Sequence, residues 1–232
     1  MRHMGVTGGG RIPAIVLGAA LLAGLAVPQA RAQALAALPV AKALRTGVGD
    51  NEPTAAWKDF CKHLPDECRI DGSEPAVLTL TPATWELIKA TNERVNVAIK
   101  PKTDMEHWGV EDRWDYPDDG YGDCEDYQLL KRKLLAEGGL PRRAMRMTVV
   151  IDKEGDGHAV LTIRTDHGDF ILDNKTDAVL AWNKTGYEFI KREGSDGAAW
   201  VALGDAVASP TVVASRSLSP ARAGRQRAAM RR

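Results

Sequence analysis

Cysteine is scarce in this chain. There are three in 232 residues, Cys61, Cys68 and Cys124, and no two are spaced C-x-x-C. Thiol–disulfide redox chemistry therefore lacks its second sulfur. Acidic residues are absent from both ends: residues 1–32 hold Arg2, Arg11 and Arg31, and the stretch after Asp205 holds six arginines, with no acid in either. The formal net charge of zero thus conceals a body, residues 33–205, at about −9. So acidic a body repels nucleic acid, which is excluded as a partner, and suits bound cations. Beyond residues 12–27 no run is apolar and long enough to span a bilayer. No internal repeat is present.

Residues 1–32 read as a secretory signal peptide. Arg2 and Arg11 give a positive start, residues 12–27 form the apolar run, and Ala30-Arg31-Ala32 offers a cleavage pattern, with Ala32-Gln33-Ala34 as the alternative. The expected address is the periplasm, with no stable membrane insertion after cleavage. Roughly 200 residues then remain, enough for one domain with its own core. Residues 33–53 read as an extended lead-in, 54–205 as the folded domain, and 206–232, rich in Ala, Ser, Pro and Arg, as a disordered basic tail.

Cys61 and Cys68 stand close together among turn formers and read as a local disulfide, a loop closure worth roughly 2–3 kcal/mol. Cys124 is then left unpaired in an oxidising compartment. It is either a buried structural thiol or a chemically used one. The polar surroundings Gly122-Asp123-Cys124-Glu125-Asp126 favour use.

Local patterns place Cys124 at a helix start. One helix is expected from Thr81 and Pro82 to just before Pro101, with Trp85, Ile88, Val95 and Ile99 at helical spacing. A second is expected from Cys124 to Glu137, capped by Asp123 with Asp126 three residues on, stopped by Gly138-Gly139, and buried along Tyr127, Leu130 and Leu134. Residues 101–121 read as an aromatic, acidic loop. At the mouth of the second helix the dipole favours a thiolate, whereas the flanking carboxylates oppose it, so a nucleophile here needs a cationic partner or a metal.

Strands are expected at 145–151, 158–164 and 169–173, with shorter ones at 178–182 and 188–192. Of the five histidines, His158 differs by following Gly155-Asp156-Gly157 and opening an apolar strand. If a hairpin turns at residues 165–168, Arg164 faces Asp169 and Asp173 lies opposite Val160. His158 and Asp173 then share one face as diagonal neighbours, close enough to meet. A one-residue slip would separate them.

The segments Gly120-Tyr121-Gly122-Asp123-Cys124-Glu125-Asp126-Tyr127, Gly157-His158-Ala159-Val160-Leu161 and Ile171-Leu172-Asp173-Asn174 resemble the bacterial transglutaminase-like cysteine peptidases, including the LapG-like periplasmic proteases. The resemblance spans roughly residues 54–192. It implies an α+β fold with a papain-like, transglutaminase-like core, the cysteine heading a helix packed on an antiparallel sheet. It implies Cys124 as nucleophile, His158 as base and Asp173 as orienter of a cysteine peptidase. It further implies calcium held by Asp123 and Glu125, with Asp104 from the preceding loop, and no organic cofactor. As partners it implies a protein substrate such as a surface adhesin, and an inhibitory membrane receptor. Protein-glutamine acyl transfer and a non-catalytic calcium-binding module stand as alternatives.

Overall fold

A computed structural model of the chain describes residues 37–195 and 199–203. The expected signal peptide and basic tail lie outside the described residues. From Thr46, the order is β1 (Thr46–Asn51), α1 (Ala55–His63), α2 (Pro65–Cys68), α3 (Pro82–Ala98), β2 (Lys100–Pro101), α4 (Asp104–His107), β3 (Tyr121–Gly122) and α5 (Cys124–Glu137). The second half is strand-rich: β4 (Met145–Ile151), β5 (Gly157–Thr165), β6 (Gly168–Leu172), β7 (Leu180–Ala181), β8 (Glu188–Glu193) and β9 (Trp200–Leu203). Seven strands form one antiparallel sheet in the order β1-β9-β8-β4-β5-β6-β7, and β2 and β3 pair separately. Within the stretch expected as a lead-in, residues 46–51 are thus a paired edge strand, docked on β9.

Local chemistry sets the two long helices. Thr81 and Thr84 exchange side-chain to backbone hydrogen bonds at the start of α3, and Pro82 takes a position that needs no N–H. That helix stops before Pro101, as the sequence requires. Helix α5 stops where expected, at Gly138 followed by Gly139 with φ +88°.

The buried surface of α5 is wider than the expected Tyr127, Leu130 and Leu134 stripe. Tyr127, with partly buried Leu130 and Leu134, faces Val95 of α3 and Ile99 just past its end. A second face, carrying Leu129 and Leu135, packs with Met145, Met147 and Val149 of β4, Leu161 and Ile163 of β5, and the aromatics Trp57, Phe60, Trp114 and Trp200. Gln128, Lys131 and Arg132 are buried on α5 as well. These polar residues hid the second stripe from a hydrophobic-periodicity reading.

The β5–β6 hairpin has the register that brings His158 and Asp173 to one face: Arg164 pairs with Asp169, Thr165 with Gly168, and Leu161 with Leu172. Asp173 is the next residue along. The turn holds Gly168 at φ +104° beside the Ala41 backbone, a conformation and a closeness that a side chain would disrupt. Cys61 and Cys68 form a disulfide, Cα–Cα 5.6 Å, that ties α1 to α2. Among the described residues, no helix is long and apolar enough to cross a membrane.

Candidate active site

The site lies where the start of α5 meets the start of β5. Cys124 is the first residue of α5, partly buried and free of any disulfide. Its thiol donates to Glu125 Oε2 at 3.1 Å. The Ala159 backbone N–H, next to His158, lies near enough to the sulfur to favour its thiolate slightly. Burial pushes the Cys124 thiol well up, and the charges of Glu125 and Asp123 push it further. The sulfur is therefore a thiol in this state, as the acids around it led one to expect.

His158 and Asp173 are each about 3 % exposed and joined by a hydrogen bond between Nε2 and Oδ1 at 2.9 Å. Asp173 Oδ1 also accepts the Lys175 backbone N–H at 3.0 Å. Its Oδ2 accepts the Tyr187 hydroxyl at 2.6 Å, and its carbonyl accepts the Asn96 amide at 3.0 Å. Burial alone would raise this carboxyl. The His158 hydrogen bond and charge, with Tyr187 and Lys175, outweigh it and hold Asp173 at about 2. The Tyr187 ring meets the imidazole edge to face, centroids 5.8 Å apart. Asp173 thus fixes the ring by Nε2 and leaves Nδ1 as the nitrogen available to a thiol. The other described histidines serve elsewhere: His63 on the Asp59 carbonyl, His107 on Asp119, and His167 on the Pro39 carbonyl.

Beside the cysteine five carboxylates crowd together. Ligand atoms of Asp104, Asp112 and Glu125 lie within 4.8 Å of one another, as do those of Asp104, Asp123 and Asp126. Burial, and then the Asp123 charge, raises Asp104 to about 6; burial raises Asp112 to about 6 and Asp126 to about 8. Burial also raises Asp123 and, with the charges of Asp123, Asp126 and Asp112, lifts Glu125 well up. Asp123 stands at the N-cap position of α5, but its side chain does not cap the helix. That expectation is corrected: Asp123 Oδ2 instead accepts the Asp104 backbone N–H at 3.1 Å, and Oδ1 is buried with no hydrogen-bond partner. The carboxylate is drawn into the cluster rather than onto its own helix. Asp126 Oδ1 accepts the Asp115 backbone N–H at 2.9 Å. Gly122 admits this packing, because a Cβ there would meet Asp126 Cβ at 2.8 Å.

The structure thus brings His158 and Asp173 together, sets Cys124 at the neighbouring residue of β5, and gathers Asp104, Asp123 and Glu125 with two further acids. Sequence reading missed Asp112, Asp126 as a cluster member, and Tyr187. Asp126 had a local explanation as a capping residue. Asp112 and Tyr187 reach the site only through the folding of loop 108–121 and of the turn before β8, so no spacing signals them.

Residues 48–208 match the family model described as bacterial transglutaminase-like cysteine proteinase. No curated protein sequence matches the chain. Among solved structures, LapG of Legionella pneumophila shares 23% identity over 65% of this chain and 82% of its own, with a TM-score of 0.45. The calcium-bound form of the same protein aligns at 20% identity over 69% of this chain and 86% of its own, also with a TM-score of 0.45.

Proposed function

The chain belongs to the bacterial transglutaminase-like cysteine proteinases, a cysteine peptidase with an α+β fold, and from that premise we propose that it hydrolyses peptide bonds with Cys124, His158 and Asp173 as its triad. The observation that carries this reading is the buried 2.9 Å bond from His158 to Asp173, with His158 on the strand that packs against the helix headed by the free Cys124. His158 Nδ1 takes the Cys124 proton as the sulfur attacks the peptide carbonyl, and the resulting imidazolium delivers it to the departing amine. Water, deprotonated by the same nitrogen, then attacks the thioester, and the thiol reforms. Asp173, steadied by Tyr187, stabilises the imidazolium and holds the ring in the tautomer that presents Nδ1. The Cys124 backbone N–H, at the helix mouth, supplies an oxyanion donor.

Calcium fits the acidic cluster. The donors are all carboxylate oxygens, the chemistry that calcium prefers, and Asp123 Oδ1 is buried without a partner. Asp104, Asp112, Asp123, Glu125 and Asp126 would hold it. When bound, a divalent cation supplies positive charge that offsets the acids raising the Cys124 thiol. The substrate we propose is a protein of the cell envelope, such as a surface adhesin, reached by export through residues 1–32 to the periplasm. Wild-type protein, but not Cys124→Ala, is expected to generate new N-termini in an isolated envelope-protein fraction, mapped by mass spectrometry. Undiminished cleavage by Cys124→Ala would refute the mechanism.

A further inference from the structure

His158 opens β5 and Asp173 follows β6, and one lysine links the turn ahead of the first to the second. Asp152 closes the turn between β4 and β5, six residues ahead of His158. Its Oδ1 accepts the backbone N–H groups of Glu154 at 3.0 Å and Asp156 at 2.9 Å, and its own N–H donates to the Asp156 carbonyl at 2.9 Å. Its Oδ2 is ion-paired with Lys175 Nζ, and Glu154 Oε2 lies 3.8 Å from the same ammonium. At its other end Lys175 donates its backbone N–H to Asp173 Oδ1 at 3.0 Å, on the oxygen that also takes the His158 ring.

This is not an ordinary surface ion pair, of the kind that contributes little. The Asp152 side chain is 1 % exposed, whereas that of Lys175 is 44 % exposed. A buried carboxylate whose counter-charge is removed is left uncompensated. Here it would be left so at the base of the turn that delivers His158. Burial would raise the Asp152 carboxyl, but the Lys175 hydrogen bond and charge bring it below its ordinary range, so the pair is charged at neutral pH.

We infer that Lys175 and Asp152 are positioning residues: their ion pair fastens the His158-bearing hairpin to the Asp173-bearing turn and so sets where the imidazole stands relative to the thiol. The inference rests on reading Cys124, His158 and Asp173 as the triad. Neither clamp residue touches substrate. Each acts through the dyad, whose geometry matters because a misplacement of about 1 Å can cost about 100-fold in rate.

The test uses the full chain and needs no substrate. Cys61 and Cys68 are bonded to each other, so iodoacetamide alkylation followed by intact mass reads Cys124 alone. Rates are compared at neutral pH with calcium in excess, at a temperature well below the unfolding midpoint of every variant. Lys175→Met and Asp152→Asn are each expected to slow alkylation roughly tenfold. The double variant is expected to be no slower than either single one, and Lys175→Arg to recover most of the wild-type rate. His158→Ala is the control that separates two failures. If His158→Ala slows alkylation but Lys175→Met does not, the clamp is overturned and the triad stands. If His158→Ala leaves the rate unchanged, the triad reading falls and the clamp with it. A lowered midpoint with an unchanged rate, or losses that multiply in the double variant, would also overturn the clamp.

Discussion

The two halves of the site differ in how far the protein chain completes them. On the strand side, both oxygens and the carbonyl of Asp173 have partners, and the carboxyl is held at about 2. On the helix side, five carboxylates crowd the thiol, their protonation is raised by burial and mutual repulsion, and one buried oxygen of Asp123 has no partner. In the proposed mechanism the base is built by the fold alone, whereas the nucleophile's surroundings would stay electrostatically unfinished until a cation arrives. The same helix mouth therefore works against a thiolate or for it, depending on what the acids hold.

The largest effects should come from breaking the finished half. His158→Ala is expected to lower turnover of an envelope-protein substrate by at least about 10³-fold, read as the rate at which new N-termini form, with little change in the folded state seen by circular dichroism. The next largest should appear on the unfinished half. Calcium at about 100 times its Kd should stabilise the protein by about 2.7 kcal/mol, seen in denaturant unfolding, and a chelator should reverse the gain. Asp126→Asn should diminish that gain, because it removes one of the carboxylates that would hold the cation. Equal response of Asp126→Asn and wild type to calcium would erase the contrast between the halves.

The smaller effects sharpen it. Asp173 has a depressed folded pKa, so its contribution is present above the ordinary carboxylate range and is lost as pH falls toward about 2. The stability gap between wild type and Asp173→Asn should therefore be about 2 kcal/mol at pH 6 and narrow steadily between pH 4 and pH 2. A gap independent of pH would mean that the His158 contact does not depend on the charged carboxylate. Tyr187→Phe removes one donor from that carboxylate while keeping the ring against His158. It should cost about 1.5 kcal/mol of stability, since Tyr187 is only half-buried, and lower turnover roughly tenfold.

Much of the strand side could be read in the sequence because hairpin register is arithmetic. Once the turn at Thr165–Gly168 is placed, strand alternation decides which side chains share a face, and His158 and Asp173 follow. Helices α3 and α5 were likewise legible from Thr81, Pro82 and Gly138-Gly139, whose local chemistry starts or stops a helix wherever it occurs. Strand β9 was not, because four residues at the end of an edge pairing carry no periodicity of their own. Helices α1 and α4 had local start signals that the hydrophobic pattern of such short segments does not reveal: Thr54 caps α1, and Thr103 with Glu106 forms a capping box on α4. The cap misreading at Asp123 has a tertiary origin: the residue type suits a cap, but the backbone of Asp104, 19 residues earlier, competes for the carboxylate and wins. Tyr187 belongs to the same class, since only the turn before β8 brings its hydroxyl to Asp173.

The most direct test of the central claim is the environment of one nitrogen, measured by the ¹⁵N chemical shifts of the His158 ring before and after Cys124 is converted to alanine. A Nδ1 that faces the sulfur should shift when the thiol is removed, while Nε2, held by Asp173, stays in place. Unchanged shifts at both nitrogens would mean that imidazole and thiol do not meet, and the peptidase mechanism assigned to these residues would be wrong.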